Sequence, residues 1–286
     1  MKRVLITGAN SFLGNNTKEY LENNGDYKVD IVDMLDGKWR ELDFSSYDVV
    51  FNVCAIVHRP KEKDAIYYEV NRDLAVEIAK KAKSSGVRQF IQTSTNGVFG
   101  IDLGEMSENS PYKPRNAYEK SKYEADCLLG ELKSNSFKVC IIRPPLIYGN
   151  NCKGNFPTLE KFALKFPFFP SRKNKKDFIY VENLADFIMF VIDNEVDGVC
   201  YPRDAKPISV SELIVHIANC HNKKMRLWSF FNPFVALVYR ISHKMRLVFG
   251  DNYCTIRIAP AVFPIWNPPF DYKTALYKMY KFQSTK

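Results

Sequence analysis

The chain has 286 residues, enough for one large domain or two interleaved ones, and its 46% hydrophobic and 26% charged residues are the balance of a soluble globular protein. The formal charge of +9, from 41 basic against 32 acidic residues, comes without a long basic run: the densest cluster is Arg172-Lys173-Asn174-Lys175-Lys176, which excludes a nucleic-acid tail and leaves a solvated basic surface or attraction of a polyanionic partner. Seven cysteines with no CxxC pair exclude a disulfide framework and a zinc site and fit reduced thiols in the cytoplasm, the start of the chain lacks a signal-peptide core, and no run of about eighteen apolar residues is present to span a membrane.

Residues 3–7 read as a buried strand, residues 12–23 as the helix after a glycine turn, and residues 27–33 as a second strand. This begins a βαβ unit and favours a parallel sheet. The connection from Asp33 to Asp48 is too short for a full crossover helix, so a loop is expected there. Residues 48–54 form a third apolar run. Residues 71–85 have helical spacing, with Leu74, Ile78 and Ala82 on one face and Gly86 closing the helix. A strand is expected at 89–93, a helix at 118–133 and a strand at 138–143. The alternation predicts an α/β fold, a Rossmann-type doubly wound parallel sheet. Past residue 145 the texture changes. Pro144-Pro145 and residues 149–157 break the pattern, residues 181–193 read as a helix returning to the first domain, and aromatics and prolines fill 200–286.

Polar residues stand where these elements end. Gly8 closes the first strand and Gly14 lies in the first helical turn of Thr7-Gly8-Ala9-Asn10-Ser11-Phe12-Leu13-Gly14. Glycine permits a tight turn and close backbone approach, so that amides and a helix N-terminus can receive a pyrophosphate. Ser11 stands where a third glycine is expected, and its side chain either crowds a phosphate or donates to it. Asp33 ends the second strand; a carboxylate there accepts hydrogen bonds from adenosine ribose hydroxyls and repels a 2′-phosphate, favouring NAD(H). Lys38 and Arg40 stand close enough to reach such a phosphate and leave NADP(H) open.

Tyr118 and Lys122 fall four apart and share a helix face. An ammonium beside a phenol, joined by the charge of an oxidised nicotinamide, is expected to bring the tyrosine from about 10 toward neutrality, where it can give or take a proton. Thr95 lies just past the fourth strand, at the edge where ligands of open parallel sheets bind, and is expected to hold the substrate oxygen. Ser94 and Thr93 compete for that role, with strand alternation setting Thr93 and Thr95 on one side and Ser94 on the other. Together these residues point to a nicotinamide-dependent enzyme acting at a carbinol or carbonyl carbon. The expected organisation is a dinucleotide-binding domain of residues 1–149 with about 177–199, and a smaller C-terminal substrate-capping domain of residues 150–176 with about 200–286.

As a set these motifs resemble the extended short-chain dehydrogenase/reductases that act on nucleotide sugars. The TGxxGxxG turn matches residues 7–14 except at Ser11; the serine/threonine triplet is Thr93-Ser94-Thr95 before Val98-Phe99-Gly100; YxxxK is Tyr118 and Lys122. R-P-x-x-x-Y-G is Arg143-Pro144-Pro145-Leu146-Ile147-Tyr148-Gly149, R-D-F-x-Y-V-x-D-L-A runs from Lys176 to Ala185, and W-x-P-P survives faintly at Trp266-Asn267-Pro268-Pro269. The resemblance covers about residues 1–215. It implies cofactor contacts from Gly8, Asn10, Ser11, Phe12, Leu13, Gly14, Asp33, Asp43, Cys54, Ala55, Asn71, Thr93, Tyr118, Lys122 and Pro144, and catalysis by Thr95, Tyr118 and Lys122.

Residues 137–156 more closely resemble bacterial capsule and O-antigen enzymes that reduce a UDP-4-keto-6-deoxy-N-acetylhexosamine to UDP-N-acetylfucosamine or UDP-N-acetylquinovosamine. This implies a UDP-sugar in the crevice between the domains, contacts from Thr95, Asn155 and Lys176, and a homodimer. Lys176 stands where family members often have arginine, so its phosphate contact is a point charge rather than a fork; Leu146 stands where an asparagine is frequent, so that contact is lost or moved. In the implied reaction NADH reduces C4, Tyr118 protonates the new alkoxide, Thr95 positions the oxygen, and Lys122 holds the nicotinamide ribose. A 4-epimerase uses the same residues, and the sequence leaves both open. A non-enzymatic nucleotide-sensing scaffold has no need of Tyr118 and Lys122 together.

In residues 230–248, Phe234, Leu237, Val238 and Ile241 have helical spacing, with Arg240, His243, Lys244 and Arg246 nearby. They read either as a helix packed within the smaller domain or as a basic amphipathic helix in peripheral contact with the inner face of an anionic membrane. His58, His216, His221 and His243 have no metal spacing, His216 and His221 are expected on a helix surface, and no metal site is expected.

Overall fold

A computed structural model describes residues 1–57, 63–100, 104–152, 154 and 156–281. In chain order the strands are β1 (Lys2–Thr7), β2 (Tyr27–Val32), β3 (Val49–Asn52), β4 (Gln89–Thr93), β5 (Gly104–Met106), β6 (Lys138–Ile142) and β7 (Leu146–Tyr148). They continue with β8 (Phe168–Pro170), β9 (Phe178–Tyr180), β10 (Gly198–Cys200), β11 (Arg226–Trp228) and β12 (Asn252–Cys254). The helices are α1 (Phe12–Asn24), α2 (Asp64–Tyr68), α3 (Ala75–Ser84), α4 (Ala117–Glu131) and α5 (Phe156–Lys165). Then follow α6 (Val181–Asp193), α7 (Val210–Cys220), α8 (Asn232–Ile241), α9 (His243–Phe249) and α10 (Tyr272–Lys281).

Six strands form the parallel sheet in the order β10-β6-β4-β3-β1-β2. Its central strands are covered on both sides, which is why they read as continuous apolar runs. On one face Val4, Ile6, Val49, Phe51 and Ile91 share a core with Leu21 of α1 and Leu184 and Ile188 of α6. On the other, Leu5, Val50, Phe90 and Val139 share a core with Ile78 and Ala82 of α3 and Ala125 and Leu129 of α4. Burying each larger aliphatic side chain of this kind contributes about 1.5–3 kcal/mol. The strand order reverses between β1 and β3, so the carboxyl ends of these two strands open the crevice that receives ligands in such sheets.

The connection from β2 to β3 is a loop with one short 3-10 turn, as its length requires, and it buries Trp39 and Phe44 in the α3–α4 core. The helix expected over 71–85 differs in its first part. Helix α2 runs through a π segment, Glu69–Leu74, before α3 begins. The wider turns coincide with Asn71, whose buried amide reaches inward to the backbone of Ile56.

Helix α6 returns to pack on α1, and β10 then joins the sheet beside β6. Strand β10 is absent from the sequence expectation because three residues carry no periodicity. The remaining chain forms three short parallel pairs, β7–β9, β5–β12 and β8–β11, with α5, α7 and α10 sharing the α6 core. Trp266 of the W-x-P-P trace donates to Asp186 of α6 at 2.7 Å, and Tyr20 of α1 donates to the other oxygen of the same carboxylate at 2.8 Å. His216 lies on α7 and His221 caps its end; both are half-buried, and His221 packs edge-on against Tyr280. All seven cysteines are free thiols.

Asp204 is buried and accepts hydrogen bonds from Tyr148 Oη (3.1 Å), Tyr180 N (3.2 Å) and Asn183 Nδ2 (2.7 Å), locking β7 and β9 to the start of α6. Burial outweighs these donors and pushes its carboxyl up from 3.8 to about 6. The folded protein therefore binds this proton more tightly than the unfolded chain, and its contribution to stability falls as pH rises from about 4 to about 6. An Asp204→Asn variant lacks this titration. Its melting temperature relative to the wild type is expected to rise between pH 4 and pH 7, by a shift equivalent to roughly 1–3 kcal/mol. A constant difference across that range, measured by thermal unfolding, would rule the assignment out.

Candidate active site

The loop after β1 is shaped by conformation. Gly8 has φ +93° and lies against the Cys54 backbone, where a Cβ would sit 3.2 Å from Cα and N. Asn10 also adopts positive φ, at 61°. Ser11 is the N-cap of α1: its Oγ accepts from Gly14 N at 2.9 Å. The serine thus meets one of the helix's own unpaired amides, a use that neither sequence expectation named. A Cβ on Gly14 would come within 2.5 Å of that oxygen, so the serine cap requires the glycine. The side chain of Leu13 points into the core, and Phe12 packs beside Gly149, so both can serve a ligand at this turn through their amides.

Asp33 is exposed just beyond β2 and accepts from Leu35 N at 2.8 Å. Arg40 is gripped by Glu77 through Nε and Nη2 at 2.8 and 2.7 Å and lies over the Trp39 ring. This commits the guanidinium to α3. Lys38 is exposed and 4.0 Å from Asp36. Asp43 accepts from the backbone and hydroxyl of Ser45, which hold its carboxyl below the usual range. Cys54 and Ala55 follow β3, and burial pushes the Cys54 thiol up to about 11. Asn71 binds both Ile56 N (2.7 Å) and Ile56 O (3.1 Å) and reaches Ser121 Oγ at 3.3 Å, bracing the 53–57 loop against α4.

Beneath these loops lies a buried polar row that the sequence reading missed. Thr7 donates to Asn52 Oδ1, and Asn52 Nδ2 donates to Gln92 Oε1 at 2.8 Å. It joins the carboxyl ends of β1, β3 and β4. Its one signal in the sequence is that each of these apolar strands carries a polar residue at or next to its end.

Helix α4 begins with a reciprocal cap. Asn116 accepts from Glu119 N at 2.9 Å, and Glu119 accepts from Asn116 Nδ2 and from Arg115 N. This fixes the helix start one residue before Tyr118. The ring of Tyr67 packs edge-on to Tyr118, with centroids 6.5 Å apart. The Tyr118 hydroxyl is hydrogen-bonded to Thr95, and Thr95 Oγ1 also accepts from Gly97 N at 3.0 Å. Ser94 is turned the other way and donates to Asp126 at 2.8 Å. Thr93 Oγ1 is buried without a hydrogen-bond partner among the described residues.

One turn beyond Tyr118, Lys122 is 2% exposed, and one turn further Asp126 is 3% exposed. Arg143 binds Asp126 through Nε and Nη2, both at 3.0 Å, donates from Nη1 to Tyr201 and lies over the Tyr112 ring at 4.6 Å. Neither Asp126 nor the aromatic cover of Arg143 figures in the sequence reading. Pro144 follows, and its carbonyl accepts from Asn96 N at 3.3 Å, so the ends of β4 and β6 are tied together.

Burial pushes Tyr118 up to about 12, with the Asp126 and Glu119 carboxylates adding to the rise and the Thr95 hydrogen bond opposing it. Burial pushes Lys122 down to about 8, against the pull of Asp126 and Cys54. Among the protein's own groups, loss of solvent and the two carboxylates therefore outweigh the Thr95 hydrogen bond and favour the protonated phenol.

Lys176 belongs to a different junction: it is half-buried, and its backbone exchanges hydrogen bonds with Ile208 and bridges to Asn252. Asn155 lies outside the described residues. No group of three or more His, Cys, Asp or Glu able to hold a metal occurs among the described residues.

The positive-φ glycine against Cys54, the amide end of α1, the exposed Asp33 and the orphaned Thr93 hydroxyl at the reversal of strand order fit a dinucleotide. The Rossmann-type sheet thus carries a paired threonine and tyrosine at its carboxyl edge. The chain belongs to the NAD dependent epimerase/dehydratase family, whose sequence profile matches residues 4–202. A UDP-glucose 4-epimerase of Vibrio cholerae is 30% identical over 246 residues, 76% of this chain and 75% of that protein. An N-acetyl-alpha-D-glucosaminyl-diphospho-ditrans,octacis-undecaprenol 4-epimerase of Escherichia coli O157:H7 is 27% identical over 242 residues, 78% of this chain and 73% of that protein. Among solved structures, UDP-glucuronic acid 4-epimerase from Bacillus cereus in complex with NAD superimposes with a TM-score of 0.75 at 18% identity, over 98% of this chain and 96% of that one. The dTDP-4-dehydrorhamnose reductase of Bacillus anthracis in complex with NADP gives 0.72 at 20% identity over the full length of both.

Two substitutions test this architecture. Gly100 has φ +63°, and a Cβ there would meet Lys113 O at 1.9 Å. Gly100→Ala is expected to destabilise the fold by about 1–3 kcal/mol or displace the Thr95 turn. Asp126→Asn leaves the Arg143 guanidinium buried without its carboxylate and is expected to cost about 3–5 kcal/mol. Urea unfolding reads both, and midpoints equal to the wild type would refute the roles given to these contacts.

Proposed function

We propose that this enzyme moves hydride between a nicotinamide cofactor and C4 of a UDP-linked N-acetylated hexose, and that it reduces a UDP-4-keto-6-deoxy-N-acetylhexosamine in surface polysaccharide biosynthesis. The observation that carries the reading is the Tyr118 hydroxyl, hydrogen-bonded to Thr95 at the sheet's carboxyl edge. Reduction of a ketone needs an acid at the nascent alkoxide, and a phenol held up at about 12 is in that form at neutral pH. Residues 137–156 add the substrate class by their resemblance. A second reading, 4-epimerisation, is favoured by the activities of the Vibrio cholerae and Escherichia coli relatives.

Gly8, Asn10, Ser11, Phe12, Leu13 and Gly14 would hold the pyrophosphate, and Asp33 the adenosine ribose. Asp33, with Arg40 committed to Glu77, favours NAD(H), and NADP(H) is the alternative. Asp43, Cys54, Ala55, Asn71, Thr93 and Pro144 complete the cofactor pocket. NAD(H), when bound, supplies or accepts the hydride. Thr95 orients the C4 oxygen, Tyr118 delivers its proton there, and Lys122, protonated below about 8, stabilises the phenolate left behind. Lys176 and Asn155 would contact the substrate diphosphate and sugar. Residues 1–149 with 177–199 form the cofactor domain of this proposal, residues 150–176 with 200–286 close over the sugar, and the working assembly is a homodimer.

The test is the absorbance of reduced cofactor with a UDP-4-keto-6-deoxy-N-acetylhexosamine. Stoichiometric consumption is expected. Isomerisation of a UDP-hexose with catalytic, retained NAD selects the second reading, and neither result overturns both. Tyr118→Phe is expected to lower turnover by about 10²–10⁴ while leaving cofactor affinity nearly intact, as read by fluorescence titration.

A further inference from the structure

The stretch from residue 213 to residue 250 contains no Asp or Glu, and it holds Lys223, Lys224, Arg226, Arg240, Lys244 and Arg246. It carries β11, α8 and α9. On α8, Val235 is buried in the core, so the helix already has an inward apolar face. Yet Leu237 and Ile241, one turn apart, are 61% and 79% exposed. Phe230 just before the helix is 85% exposed, and Leu247 of α9 is also exposed. This second apolar stripe, on the outside of a packed helix, is left uncovered by the described residues, and its setting among cations selects an anionic partner.

Neither α8, at ten residues, nor α9, at seven, is long enough to cross a bilayer, and no described helix is both long and apolar enough to do so. The two can lie in the interface with Leu237 and Ile241 among the acyl chains and Arg226 and Arg240 at headgroup level. Behind α8 is a cavity of about 550 Å³ lined by Arg172, Lys173, Asn174 and Tyr239 among others, with Asp251 at its rim. Its two cations extend the basic surface onto the neighbouring segment.

We infer that the α8–α9 face docks this protein on an anionic phospholipid bilayer. The inference concerns a surface and is independent of the reaction.

The test is cosedimentation of the full chain with vesicles of phosphatidylcholine containing about 30% phosphatidylglycerol, at low and high salt. Binding is expected to anionic vesicles, not to pure phosphatidylcholine, and to weaken with salt. Arg226→Ala and Arg240→Ala are each expected to weaken it about five-fold, and Leu237→Ser with Ile241→Ser to abolish it, with circular dichroism unchanged. Failure of the folded wild type to bind anionic vesicles overturns the inference, as does binding that these variants leave intact. So does a face occupied by a second copy, seen as a wild-type dimer that Ile241→Asp converts to monomer without any vesicle binding. Because the readout is lipid binding, failure of the proposed reaction leaves this result standing, and the reverse also holds.

Discussion

The architecture of the reactive edge depends on one buried ion pair. Arg143 closes β6, Asp126 sits on the third turn of α4, and Ser94 follows β4, so a single carboxylate oxygen ties three elements together. Two charges withdrawn from water carry a large desolvation cost, and Coulomb attraction offsets it only when the remaining hydrogen-bonding positions are filled. Here the guanidinium is filled out by Tyr201 and the Tyr112 ring, and the Ser94 hydroxyl joins the same carboxylate oxygen, while Asp126 Oδ1 is buried without a hydrogen-bond partner among the described residues. A pair of this kind adds little net stability compared with an apolar replacement. What it does here is set the register of α4 against the sheet, and with it the position of the tyrosine two turns earlier.

The same carboxylate governs charge. Lys122 is nearly inaccessible to water, and without Asp126 burial would favour its neutral form still more strongly. Tyr118 responds in the opposite direction, since a buried anion nearby makes its phenolate harder to form. One negative group thus favours the cationic lysine against burial and adds to burial in favouring the neutral tyrosine. A proton donor with a cation ready behind it follows from burial and one helical face, Tyr118-Lys122-Asp126.

The parallel sheet was legible because strands buried on both faces show as unbroken apolar runs, and because Gly8 and Gly86 mark turns that need positive φ. The pairing of Tyr118 with Thr95 was legible from helical spacing and strand-end position. Asp126 was not, since a lone carboxylate on a helix looks solvated, and its burial is decided by an arginine on another strand. The direction in which the protein's own groups push Tyr118 was not legible for a related reason: spacing reveals the neighbouring lysine but not burial or the Asp126 carboxylate. The π segment escaped because one inserted residue hardly disturbs a helical pattern. Strand β10 is a strand only because β6 is there to pair with it.

The bond from Trp266 to Asp186, with Tyr20 on the same carboxylate, links positions almost 250 residues apart. Helix α1 therefore gains the cover of its apolar side only when α6, with Asp186 166 residues beyond Tyr20, folds back on it. Until that return the apolar side of α1 has only the sheet to lie against.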